Sequence, residues 1–143
     1  MTALDLRGWP AVHAQAAGRF NRGEFMGAAR LWEEVWQALG ANEGPEGPDD
    51  DAPPPAEALF LRGLIRMAAG FARWREGRLV PAQRLIQMGR VDLDGLGEVV
   101  SELNLDRLRS QLRAFLAALE AVPEGAEEGG AGLGHLVPVI EFS

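Results

Sequence analysis

The chain has 143 residues, 47% hydrophobic and 24% charged, the size and balance of one globular domain rather than a disordered segment. It contains neither Cys nor Tyr, which excludes disulfides, thiolate metal sites and thiol or phenol chemistry. Its 14 basic residues are all Arg and face 21 acids, a net charge of -7 that argues against nucleic acid as a partner.

No apolar run approaches the ~18 residues of a membrane span, and the N-terminus MTALDLRGWP lacks a basic start followed by an apolar stretch. The expectation is a cytoplasmic protein with no membrane partner. Charge is unevenly spread: residues 58–90 carry seven Arg and only Glu76, against a strongly acidic remainder.

In chain order, residues 11–20 predict a first helix, stopped by Asn21-Arg22-Gly23. From Phe25 the apolar positions Ala28, Leu31, Trp32, Val35, Trp36 and Leu39 follow helical spacing, with Arg30, Glu33, Glu34 and Gln37 on the opposite side. Residues 40–56 hold triple Pro and five acids and read as a solvated loop. A broad apolar face over 57–75 predicts a central helix ending at Gly77. A shorter helix is expected over 79–88, with Pro81 tolerated in its first turn. Residues 92–102, interrupted by Gly95 and Gly97, support no assignment. Residues 103–122 form the most regular amphipathic pattern of the chain. The segment 123–134 reads as flexible and Gly-rich, and 136–142 as extended against the helices.

A repeat underlies this order. Phe20-x-x-Gly23-x-Phe25-x-x-Ala28-x-Arg30-Leu31 recurs as Trp74-x-x-Gly77-x-Leu79-x-x-Ala82-x-Arg84-Leu85, offset by 54 positions. An aromatic closing one helix, Gly turning the corner and Ala admitting the next helix describe a helical hairpin. The expected fold is therefore a single all-α domain over 1–143. It is a compact bundle of about five helices built on two tetratricopeptide-like hairpins, since two units are too few for an open superhelix.

The segments FNRGEFMGAARLWEEVW and FLRGLIRMAAGFARWREGRLVPAQRLI resemble the bacterial and archaeal family called domain of unknown function 309, over roughly residues 20–96. That resemblance implies a small all-helical fold without an established activity. The family's second helix usually carries a His-Glu pair where this chain has Ala29-Arg30, and Gln where it has Arg62 and Arg66; Glu33 and Trp36 are kept. Chemistry resting on the His-Glu pair is therefore not implied for this chain.

The reading that follows is a binding or scaffolding protein that recognises an anionic small molecule or a peptide. Its candidate site is an inter-helix polar cluster of Arg30, Glu33, Glu34, Arg62 and Arg66. Arg62 and Arg66, one turn apart, either grip a carboxylate or phosphate or pair internally with Glu33, Glu34 or Glu57. The alternative is a carboxylate-dependent hydrolase centred on Glu33, although Glu33 and Glu34 point about 100° apart, unsuited to a shared acid and base role. His13 and His135 read as solvated or capping residues, and no metal, cofactor or catalytic residue is expected. The Trp residues read as core or interface anchors, and a homodimer through an exposed apolar helix face is the simplest protein partner.

Overall fold

A computed structural model describes residues 10–38, 56–96, 105–122 and 132–140. They form five α-helices, α1 (Pro10–Asn21), α2 (Phe25–Ala38), α3 (Ala56–Arg75), α4 (Leu79–Asp94) and α5 (Leu105–Glu120), followed by a 3-10 turn at Gly134–Leu136. The all-α bundle expected from the periodicity is what the chain forms. The expected loop at 40–56 lies outside the described residues apart from Ala56, which opens α3, and so does 123–131 of the expected flexible segment. Among the described residues no helix is long and apolar enough to cross a membrane.

The 54-residue repeat is realised in two turns of the same construction. At the end of α1 the Gly23 N–H donates to the Phe20 carbonyl (2.9 Å) and the Glu24 N–H to the Arg19 carbonyl (2.8 Å). At the end of α3 the Gly77 N–H donates to Trp74 (3.0 Å) and the Arg78 N–H to Arg73 (2.9 Å). This is the paired bonding that closes a helix on a left-handed residue, and both glycines adopt it, with φ of +84° and +81°. A side chain in that conformation would cost ~1–2 kcal/mol. The next helix starts equivalently in each case, from Ala28 N–H to the Glu24 carbonyl and from Ala82 N–H to the Arg78 carbonyl. Even the flanking ion pair recurs with its signs exchanged, Arg22 to Glu24 and Glu76 to Arg78.

Helix α3 is central because it is apolar on almost every side: Phe60, Leu61, Leu64, Ile65, Met67, Ala68, Phe71 and Ala72 are all buried. Phe71 gathers Phe20, Phe25, Trp74 and Phe115 around it, joining α1, α2 and α5 through edge-on and tilted ring contacts. Among the described residues the contact between α3 and α4 is the most extensive, and it is close. A Cβ on Gly89 would stand 2.7 Å from the Gly63 carbonyl oxygen and 2.9 Å from the Met67 nitrogen. Gly89 therefore does not end α4, which runs on to Asp94 instead of stopping near Met88; backbone contact with α3 occupies the space a side chain would need.

After α5 the chain returns to the opposite end of the sequence. The Ile140 N–H donates to Asn21 Oδ1, and Asn21 Nδ2 donates to the Ile140 carbonyl, both at 2.9 Å. Ile140 is buried in the core. Of the expected extended tail, Leu136 closes the 3-10 turn, Val137 is extended, and 141–142 lie outside the described residues.

Candidate functional site

Arg62 and Arg66, one turn apart on α3, reach toward α4. There they converge on Asp92, which is 5% exposed. Arg62 grips it with both arms, Nη2 to Oδ1 at 2.8 Å and Nε to Oδ2 at 3.2 Å, and Arg66 Nη1 reaches Oδ2 at 3.0 Å. The Arg side chains retain only 15% and 12% of their exposure. The pairing expected with Glu33 or Glu34 is not formed: no hydrogen bond or ion pair joins these residues among the described ones. The reason lies in how α2 packs. It turns Trp32, Val35 and Trp36 inward, so Arg30, Glu33 and Glu34 are carried to the exposed face. The five residues of the expected cluster thus divide into an exposed trio on α2 and a pair on α3 that meets Asp92 of α4.

His13 corrects another expectation, since it is buried rather than solvated or capping. Its Nδ1 accepts a hydrogen bond from Trp32 Nε1–H (3.2 Å), and its ring stands edge-on to Phe60 at 5.8 Å. Burial pushes its pKa down to about 4, so the imidazole is neutral at ordinary pH. The signal was in the sequence, because His13, Ala16, Ala17 and Phe20 fall on one helical stripe. His135 is exposed, with its Nδ1 3.1 Å from the Gly132 carbonyl oxygen. Among the described residues, no three His, Asp or Glu side chains meet as a metal site.

The open chemistry lies on the other side of α4, along its seam with α5. Two residues beyond Asp92, the chain turns Asp94 toward α5. Arg90 Nη1 donates to its Oδ2 at 2.6 Å, while Arg109 Nε and Arg113 Nη2 approach its Oδ1 at 3.4 and 3.8 Å. Arg109, itself buried, also donates to the Leu93 carbonyl at the negative end of α4 (2.5 Å), which pins α5 in place. Above this knot runs a groove of about 700 Å³, floored by Leu116 and Ala117 and walled by Gln83, Arg84, Gln87, Arg90 and Arg113. A recess of about 420 Å³ continues it past Asp94, Asp106 and Ser110. Arg113 borders both spaces and keeps 60% of its side-chain exposure, and Arg84 is exposed with no hydrogen bond or ion pair among the described residues.

Sequence reasoning assigns Arg84 to the basic segment and Arg109 and Arg113 to the polar side of the last helix without bringing them together. The excess of Arg over 58–90 is the available signal for one wall; the other wall lies on α5, where Arg109 and Arg113 are 19 and 23 residues beyond Arg90. No family model, curated protein or solved structure matches this chain.

Proposed function

We propose that the chain is a helical binding module that takes an anionic ligand, a small molecule or a peptide, in the groove between α4 and α5. One observation carries the reading. A protein of net charge -7 brings Arg84, Arg90, Arg109 and Arg113 to a single seam, where Asp94 is the carboxylate that Arg90, Arg109 and Arg113 share and Glu120 and Asp106 mark the two ends. Guanidinium groups with exposed donors are suited to forked recognition of carboxylate or phosphate. The Arg62 and Arg66 pair is no competitor for this role, because it is largely buried against Asp92, with 15% and 12% of its side-chain exposure left. The reading keeps the resemblance to domain of unknown function 309 as its proposed kinship, supported by the two matched glycine turns and by the inward Trp36 of α2.

The test is a titration with citrate and, separately, with inorganic phosphate at low ionic strength, following the Arg Nε–H resonances. Saturable shifts are expected at Arg84 and Arg113 and not at Arg62 or Arg66. A smaller shift is expected at Arg90, which lines the same groove, and it should be lost in the double variant Arg84→Gln, Arg113→Gln. Absence of shifts at the seam with both anions rejects the reading.

A further inference from the structure

Resting on that reading, we infer that the occupant of the groove is an acidic amphipathic helix of a partner protein, laid lengthwise between α4 and α5. The shape of the seam leads to this. Its lining residues are Val80, Gln83, Arg84, Gln87, Arg90 and Asp94 on α4, met by α5 positions 106, 109, 110, 113, 116, 117 and 120. Positions 80, 83, 87, 90 and 94 of α4 and 106, 110, 113, 117 and 120 of α5 each advance by three and four, so each helix contributes one stripe, widened by Arg84 on α4 and by Arg109 and Leu116 on α5. Early residues of α4 share the groove with late residues of α5, and late residues of α4 share the recess with early residues of α5, so the two walls run antiparallel. From Val80 to Asp94 the wall is ~21 Å long at 1.5 Å per residue. A trough between two helical ridges suits a third helix. A compact metabolite is held by a cavity that encloses most of its surface, which an open seam does not provide.

The chemistry of the walls specifies the face that would fit. Leu116 and Ala117 on the floor and Val80 at one end call for apolar side chains at the centre of the incoming helix. Arg84 and Arg90 are separated by six residues, ~9 Å along α4, which matches acids about one heptad apart on the partner. Asp94 shows that this wall accepts a carboxylate, since it already holds one against Arg90 and Arg113. Glu120 at the far end favours a basic residue there. A second copy of this chain fits less well: it brings another net charge of -7, and the exposed stripe Val80, Arg84, Gln87, Val91 of α4 has apolar side chains only at its ends.

The experiment uses the full chain and two fluorescein-labelled 16-residue peptides, one with Leu on the inner face and Glu flanking it, the other with Lys in place of every Glu. Anisotropy measures binding, and amide shifts of the protein locate it. The Glu peptide is expected to bind, to shift Gln83, Gln87, Ser110 and Ala117, and to weaken at least tenfold in Arg84→Glu, Arg113→Glu. Both replaced side chains are exposed, and circular dichroism checks that the variant keeps its helices. The Lys peptide is expected not to bind the wild type. Failure of the Glu peptide to bind, indifference to the double variant, or equal binding of the Lys peptide overturns the inference. If the peptide fails while citrate still shifts Arg84 and Arg113, only the helical occupant is lost; if neither binds, the anion groove falls with it. A dimer in sedimentation whose formation shifts the amides of Val80, Gln87 and Val91 likewise overturns it.

Discussion

Asp92 and Asp94 stand two residues apart on one helix and lead opposite lives. Helical geometry sends them to nearly opposite sides of α4. Asp92 faces α3 and meets two guanidinium groups in a contact so close that Gly63 and Gly89 replace side chains with backbone. Asp94 faces α5, stays 31% exposed, and shares three Arg residues with an open groove. The same pair of residue types is thus structural where water is excluded and available for binding where it is not. Local sequence does not distinguish them; the identity of the neighbouring helix does.

The sharpest way to break this contrast is to neutralise each acid. Asp92→Asn leaves Arg62 and Arg66 largely buried without their shared counter-charge and should cost ~3 kcal/mol in urea denaturation. Arg62→Gln should also destabilise, and the double variant should lose less than the sum of the two. Strict additivity would remove the claim that the cluster is one unit.

Histidines offer the same contrast through pH. His13 has a folded pKa of about 4 against 6.5 in an unfolded chain, so the unfolded state binds more protons between those values. Its contribution to stability is complete above pH 6.5, falls as pH drops toward 4 and levels off below. The slope is at most ~1.4 kcal/mol per pH unit. His13→Gln retains an acceptor for Trp32 but cannot titrate, and should flatten that limb; His135→Gln, at an exposed site, should leave it unchanged. Identical limbs for wild type and His13→Gln would contradict the buried, neutral imidazole.

The two turns repeat the comparison on a smaller scale. Gly23→Ala and Gly77→Ala both place a side chain at positive φ and should each cost ~1–2 kcal/mol. Gly23 should cost more, because its Cβ would collide with the Arg75 guanidinium, whose Nη1 donates to the Gly23 carbonyl, whereas nothing stands within 4 Å at Gly77. Melting temperatures in the reverse order would show that covering the turn is unimportant. The smallest change is expected from Asp94→Asn. Its pairs with Arg90 and Arg113 are partly solvated and Arg109 keeps its bond to the Leu93 carbonyl, so the loss should stay below ~1 kcal/mol and shrink further in 0.5 M salt. A cost comparable to Asp92→Asn would mean that the seam is structural and not a site.

Patterns within a few turns of helix are legible in the amino-acid order alone. Spacing in Phe25 to Trp36 names the buried face of α2, the breadth of the apolar face over 57–75 makes α3 central, and the 54-residue repeat locates both glycine turns. Each rests on interactions between residues close in sequence, where helical periodicity and the freedom of Gly at positive φ act locally. The end of α4 is not legible in this way, because Gly89 weakens a helix in isolation, and only the approach of α3 makes its missing side chain an advantage. The partner of Arg62 and Arg66 is hidden for the same reason. Charge balance shows that two guanidinium groups on one stripe require a carboxylate, but it points to Glu33 and Glu34 as readily as to Asp92, and packing turns the first two outward. Residue type and spacing determined the helices, their inner faces and their turns. Which charges are buried together and which are left along a groove was decided by the order in which the helices pack, because ion pairing depends on distances that no local pattern encodes.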